Sequence, residues 1–104
     1  MKYGLYSICD SLTGFSAPIM DIGDEQAVRG FRKSLVEGAA DLAKQGVQLY
    51  QLSLYKLGVF DTESGLVEPN IPPQFLVMGS DSWLAPWTEG LKEGDEKEGD
   101  ENEE

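Results

Sequence analysis

Three cationic side chains in the first half of the chain have a spacing that suits phosphate binding. Arg32 and Lys33 follow Arg29 by three and four residues, so in a helix all three share one face. Clustered arginine and lysine side chains contact nucleic-acid phosphates without reading the base sequence. Lys44 follows at a position that extends the same basic patch. The competing interpretation is a solvated helix face that binds no ligand.

Two tyrosines are the sequence candidates for contacting bases. Tyr6 and Tyr55 lie in segments of strand composition, and aromatic rings in such positions can stack on unpaired bases. Stacking of this kind is worth about 1–3 kcal/mol per base and tolerates every base, because each presents a flat π face. The alternative is that both tyrosines fill a small hydrophobic core.

The composition argues against most enzyme classes. The chain of 104 residues contains no histidine and one cysteine, Cys9. A Ser-His or Cys-His nucleophile pair therefore cannot form, and a histidine-based zinc site is equally excluded. Glycine-rich phosphate loops are also missing from the sequence. We expect no enzymatic activity, no cofactor and no metal.

The clearest helix is predicted at residues 24–37, and it carries the three cations. Asp24 is placed to serve as its N-cap. Gly38 separates this helix from a short continuation at 39–44, and Gly46 is a natural stop. The apolar residues that recur at helical spacing on the other side are Val28, Phe31 and Leu35. We expect this apolar stripe to pack onto a sheet.

The other segments of the body have strand composition. Pro18 places the second strand at a sheet edge, because proline lacks the N–H that a central strand needs. A slip in the apolar alternation near Leu54 and Tyr55 predicts a bulge, and the segment 69–73 cannot pair regularly. The predicted strands are 2–9, 15–20, 47–60, 66–68 and 75–78. This order predicts an α+β fold, a small antiparallel sheet of four to five strands packed with one principal helix.

The last sixteen residues differ sharply from the rest. Residues 89–104 contain nine acidic side chains and two lysines, which contribute −7 of the formal net charge of −11. The pentapeptide KEGDE occurs there twice, at 92–96 and 97–101. We therefore expect a single domain at 1–88 followed by a disordered acidic C-terminal tail at 89–104. Such a tail either keeps the chain in solution, competes with nucleic acid for a basic surface, or recruits a basic partner.

The small body and its first strand favour self-association. About 88 residues bury a low fraction of their surface, so a homodimer would stabilise the fold. The first strand has apolar residues on both faces, namely Tyr3 and Leu5 on one and Tyr6 and Ile8 on the other. Trp83 and Trp87 either cover the core or form a partner interface, and we expect them to cover the core.

The sequence also indicates a compartment. A single cysteine cannot form a disulfide within the chain, which favours a reducing environment. No stretch approaches the roughly 20 apolar residues of a membrane span, so no membrane association is expected. The expected location is the cytosol.

Three segments resemble a known protein family. They are YGLYSICDS at 3–11, the helical AVRGF at 27–31, and LYKLGVFDTESGLVEP at 54–69. Together they resemble the small non-structural protein of gokushoviruses, single-stranded-DNA bacteriophages of the microvirus group. The hairpin at 54–69 is the most specific of the three. The chain departs from the usual members in the stretch before the hairpin strand, in the Trp83–Trp87 region and in the acidic tail.

The resemblance implies a phage protein that acts in the cytoplasm of the infected bacterium. It further implies binding of DNA in support of synthesis or packaging of the single-stranded viral genome. From the cations and tyrosines of the chain we predict that binding of single-stranded DNA is weak and independent of base sequence. A phage replication or capsid protein is a possible further partner. Two alternatives remain open, a protein-interaction or regulatory module that does not touch DNA, and an acidic mimic of DNA that acts on a replication or host protein.

Overall fold

The computed structural model describes residues 1–84, which form one antiparallel sheet with two consecutive helices. In chain order the elements are β1 (Lys2–Asp10), β2 (Gly14–Phe15), β3 (Ile19–Asp21), α1 (Asp24–Glu37), α2 (Ala39–Lys44), β4 (Leu52–Asp61) and β5 (Val67–Met78). Two short 3-10 turns, Leu49–Gln51 and Asp81–Leu84, precede β4 and follow β5.

The sheet is built around β1 and β4. Its order is β2-β1-β4-β5, and β3 also pairs with β1, along the edge that β2 occupies. Every strand pair among the described residues is antiparallel. The predicted α+β fold, with four to five antiparallel strands and one principal helix, is confirmed.

Helix α1 packs one face onto this sheet, as its apolar stripe predicts. Phe31 and Leu35 are buried together with Ala27, which the sequence analysis did not single out. The rest of the buried core comes from the sheet and the turn before it, from Tyr6, Leu49, Leu52 and Leu54. Because this stripe faces the sheet, the cations of α1 face solvent.

The start of α1 corrects one detail of the sequence analysis. Gly23, not Asp24, occupies the N-cap position, and no side chain caps the helix there. Asp24 is the first helical residue, and its carboxylate instead binds groups of the sheet. The breaks at the other end are as expected, since α1 ends at Gly38 and Gly46 has the positive φ of a helix stop.

Three strand boundaries differ from the sequence analysis. The predicted strand at 15–20 is split into β2 and β3, with Pro18 in the gap between them, and both pieces lie at the sheet edge. The strand predicted from 47 begins only at Leu52, because the 3-10 turn takes up the preceding residues. The two strands predicted at 66–68 and 75–78 form one strand, β5, in which residues 70–73 have no register partner.

The predicted irregularity near Leu54 and Tyr55 is present, on the partner strand. Leu54 pairs with Val77 and Tyr55 with Phe75, so the extra residue, Leu76, belongs to β5. A second bulge inserts Leu57 of β4 opposite β1, where the register shifts between Leu5 and Tyr6. Where the alternation of apolar and polar residues shifts by one position, a bulge keeps the apolar side chains on the buried face of the sheet.

The remaining predictions on architecture concern residues beyond 84. The boundary at 88, the tail at 89–104 and Trp87 all lie outside the described residues. Within residues 1–84, no helix has the length and apolar character needed to cross a membrane.

Candidate functional site

Arg29, Arg32 and Lys33 are exposed on the side of α1 that faces away from the sheet. None of them forms an ion pair with another described residue, although Glu25 and Glu37 lie one helical turn to either side. The two ion pairs of the described chain involve other groups, Lys56 and the N-terminal amine. These three side chains are therefore available to an external anion, and we call them the helix cation cluster.

Trp83 brings an aromatic ring to the helix cation cluster. The guanidinium carbon of Arg32 lies 5.5 Å from the centroid of the Trp83 ring, within cation–π distance. The same ring meets Phe31 edge to face, with centroids 5.9 Å apart. Trp83 covers the core at Phe31, as expected, but it remains partly exposed beside Arg32. Sequence reasoning could not place it there, because the turn Asp81–Leu84 reaches α1 only through the fold.

Lys44 does not belong to the helix cation cluster. It is the last residue of α2, a separate helix that begins after the break at Gly38. It is exposed, and a cation in the last turn of a helix interacts favourably with the helix dipole. This position gives Lys44 a local structural role that needs no ligand.

Tyr6 is fully buried, so it offers no ring face to a base. Its hydroxyl donates a 2.7 Å hydrogen bond to Asp24 Oδ1, and Lys56 Nζ lies 3.0 Å from the same oxygen. Lys56 Nζ also lies 6.0 Å from the centroid of the Tyr6 ring. The three side chains join β1, α1 and β4 in one polar contact. The structure contradicts the sequence assignment of Tyr6 as a stacking residue, since stacking would require the core to open.

The polar contact shifts the pKa of two of its members. Burial, with help from the hydrogen bond to Asp24, raises the pKa of the Tyr6 phenol well above its ordinary value. Hydrogen bonds from Tyr6 and then from Lys56 lower the pKa of Asp24. Both shifts favour the protonation states that hold the contact together, a charged carboxylate and a neutral phenol.

Replacing Asp24 with Ala should destabilise the fold by about 1–3 kcal/mol, because the buried Tyr6 hydroxyl loses its acceptor. Asp24→Asn keeps an oxygen acceptor and should recover part of this loss. Urea unfolding monitored by circular dichroism measures both. Glu25→Ala is the matched control, since Glu25 is an exposed acid in the same helical turn. An Asp24→Ala protein as stable as the Glu25→Ala protein would contradict a structural role for the contact.

The loss of stability in Asp24→Ala should depend on pH in a defined direction. A carboxylate whose pKa is lowered by folding stabilises the protein above its unfolded pKa of about 3.9 and loses that contribution as pH falls further. The difference in the free energy of unfolding between wild type and Asp24→Ala should therefore shrink below about pH 4. At the alkaline end, the raised pKa of Tyr6 predicts loss of stability as pH rises above the ordinary tyrosine value of about 10.

Tyr55 lies on the opposite face of the sheet from the helices. It is half-buried, and its ring makes edge-to-face contacts with Phe15 on one side and Phe75 on the other, at 5.4 and 5.7 Å between centroids. Its neighbour Leu54 points the other way into the core. We call Phe15, Tyr55 and Phe75 the aromatic row. The sheet separates this row from the helix cation cluster, so the structure does not bring the predicted cations and Tyr55 together.

Other types of site have little support in the described part of the chain. An open cleft of about 300 Å³ lies at the far end of the sheet, and its charged lining residues are Lys2, Asp61 and Glu68. Two acids against one lysine give this cleft no preference for an anion. No group of three or more potential metal ligands occurs among residues 1–84.

The chain is similar to a known protein family. A family model described as Phage ORF5 protein matches residues 3–82, which include the helix cation cluster and the aromatic row. No curated protein matches the chain, and no solved structure matches it.

Proposed function

Because the chain belongs to the Phage ORF5 protein family, we propose that this phage protein binds single-stranded DNA in the infected cell. Binding is weak and independent of base sequence, and it supports viral genome synthesis or packaging in the host cytoplasm. The observation that carries the proposal is the helix cation cluster, with three exposed cations that no described acid neutralises.

Charge segregation is the physical argument for this surface. Residues 1–84 contain ten acidic and six basic side chains, a balance that disfavours DNA unless the cations are grouped. Half of those basic residues lie within five consecutive positions of α1, Arg29 to Lys33. A strand that follows the helix would contact about three phosphates.

Trp83 completes the chemistry that single-strand binding needs. Phosphate contacts supply sequence-independent affinity, and stacking surfaces distinguish unpaired bases from a duplex. The exposed part of the Trp83 ring and the Arg32 guanidinium plane both offer such a surface beside the cations. In this proposal Trp83 takes the role that the sequence analysis gave to Tyr6 and Tyr55.

We further propose that the protein comes from a gokushovirus, and the support for this is the resemblance of the hairpin at 54–69. In the structure this segment is most of β4, the turn at 62–66 and the start of β5. The hairpin forms one end of the sheet, and it contains none of the three residues of the helix cation cluster. It therefore supports an assignment to a family and a fold, and its contribution to function is indirect.

Fluorescence anisotropy of a labelled single strand at several salt concentrations tests the proposal. Three phosphate contacts predict a slope of about −2 for log K against log salt, from about −0.7 per contact on single strands. Strands of different base composition should bind alike. A folded protein that shows no binding at low salt, with the tail removed, would reject DNA binding. That result would favour the alternative of a protein-interaction module.

Removing residues 89–104 should tighten DNA binding, most strongly at low salt. The segment carries −7, and a tethered polyanion acts near the helix cation cluster at an effective concentration of order mM. Salt screens both this competition and the general repulsion of DNA, so the gain should fade as salt rises. The control is a chain of full length in which the nine acids and the two lysines of this segment are replaced by serine, which should match the truncation. A truncated protein that binds more weakly would contradict the competition.

A further inference from the structure

Within residues 1–84, α1 and α2 lie on the side of the sheet opposite the aromatic row, and the half-exposed side chains around the row are apolar. Phe15 and Phe75 at the ends of the row are 52% and 53% exposed. Directly paired residues of an antiparallel sheet share a face, so the register extends this surface beyond the row. The further half-exposed side chains that the register places there are Met20, Val67 and Met78.

We propose that a second copy of this chain covers this face, so that the protein forms a two-fold dimer through the aromatic row. In a two-fold contact each copy presents the same patch, and the row of one copy would pack across the row of the other. Edge-to-face packing of the kind already present within the row is the favoured geometry between aromatic rings. Self-pairing therefore continues an arrangement that each copy already contains.

Charge is the first reason to place a contact between two copies on this face. The chain carries a net charge of −11, so two copies repel each other across most approaches. The residues that form the proposed contact carry no charge, so this face is where two copies meet with the least repulsion. A basic partner would be attracted to the carboxylates of the chain and not to this uncharged face.

The exposed area is the second reason. Half-exposed side chains of this size each leave on the order of 100 Å² in water, and the five together leave on the order of 500 Å² per copy. A standard interface buries about 800 Å² per partner, so this patch fits the weak end of specific association. A monomer would leave a patch of this size exposed, near the upper end of what monomers show.

The dimer is independent of the proposed DNA binding, and the two proposals predict opposite responses to added salt. The helix cation cluster lies on the other side of the sheet, so a dimer leaves both clusters accessible. Added salt should strengthen the dimer, because it screens the repulsion between two acidic chains, whereas it should weaken DNA binding. Failure of one proposal therefore leaves the other testable by its own salt dependence.

Sedimentation velocity over micromolar to millimolar protein concentrations tests the dimer with Phe75→Glu. The substitution places two carboxylates in a two-fold interface, so the dissociation constant should rise by at least ~100-fold. Tyr50→Glu is the matched control, because Tyr50 is 57% exposed in the 3-10 turn before β4, outside the sheet. Its dissociation constant should change less than ~threefold. Circular dichroism verifies that both variants are folded.

A second measurement uses the wild-type chain and does not depend on any variant folding. Isotope-filtered NMR on a mixture of labelled and unlabelled protein should show contacts between copies at the Phe15 and Phe75 rings. A wild-type chain that is monomeric at millimolar concentration overturns the proposal, as does a dimer that Phe75→Glu leaves intact. A further outcome would also overturn the proposal, namely a monomeric chain in which removing residues 85–104 shifts the Phe15 and Phe75 ring resonances. The end of the chain itself would then cover the face.

Discussion

Replacing Arg29, Arg32 and Lys33 together with alanine is expected to weaken binding of single-stranded DNA by roughly 10²–10³-fold at about 50 mM salt. Losing three phosphate contacts should make the slope of log K against log salt less negative by about 2. Multiplying this change in slope by the logarithm of the salt concentration gives the expected loss of affinity. The three side chains are exposed, so the loss of stability should be limited to that of the Arg32–Trp83 contact, about 0.5–1 kcal/mol. Anisotropy titrations of both proteins over a salt series measure the effect.

A double variant tests whether the site is local. Lys2→Ala with Lys44→Ala removes two exposed cations that lie outside α1. If the helix cation cluster is the site, this variant should bind within about threefold of wild type. An equal loss per charge in both variants would mean that binding is diffuse, and an undiminished affinity of the triple variant would exclude the cluster.

The same substitution, glycine to alanine, is expected to have opposite effects on stability at two positions. A Cβ at Gly58 would lie 2.9 Å from the Pro69 Cα and closer still to the Glu68 carbonyl oxygen. Both are backbone atoms of the paired strand β5, so they can move only if the sheet distorts. Overpacking of this kind typically costs about 1–3 kcal/mol, and the position between rigid strands favours the upper end.

Gly30→Ala is the internal control for that loss. Gly30 is exposed in the middle of α1, and an added Cβ there meets no atom within 4 Å. Alanine should therefore stabilise the helix by about 0.5–1 kcal/mol, the difference in helix propensity. Urea unfolding of the two variants gives the comparison. A Gly58→Ala protein as stable as wild type would show that β4 and β5 are less closely paired than the structure has them.

The Asp24 contact illustrates how a local rule and a tertiary contact compete for one side chain. By sequence, an acid at the start of a helix is a good N-cap, because it can accept from free backbone N–H groups. The fold brings Tyr6 and Lys56 within 3.0 Å or less of the same carboxylate, and these partners win. The sequence predicted the helix and its acidic start correctly, but it carried no signal for partners 18 and 32 positions away.

Local pattern determined the elements of this protein. The apolar spacing of Phe31 and Leu35 and the breaks at Gly38 and Gly46 predicted α1 and its end, since these depend on neighbours within a few residues. The same helical spacing predicted that Arg29, Arg32 and Lys33 share an exposed face. The alternation slip near Tyr55 predicted a bulge, although the sequence could not say which strand carries the extra residue.

Only the tertiary structure decided which aromatic rings lie beside which charged side chains. Tyr6 and Tyr55 have similar neighbours in sequence, yet the side of the sheet that α1 covers buries Tyr6 and leaves Tyr55 in the aromatic row. Trp83 reaches Arg32 across about fifty residues of chain, because β5 returns beside β4 and ends near α1. A sheet has two faces of similar composition here, and composition cannot tell which of them a helix will cover. The face that α1 covers depends on how β1 and β4 pair and on the connection that carries α1 across them. As a result, the helix cation cluster and the aromatic row lie on opposite sides of the sheet.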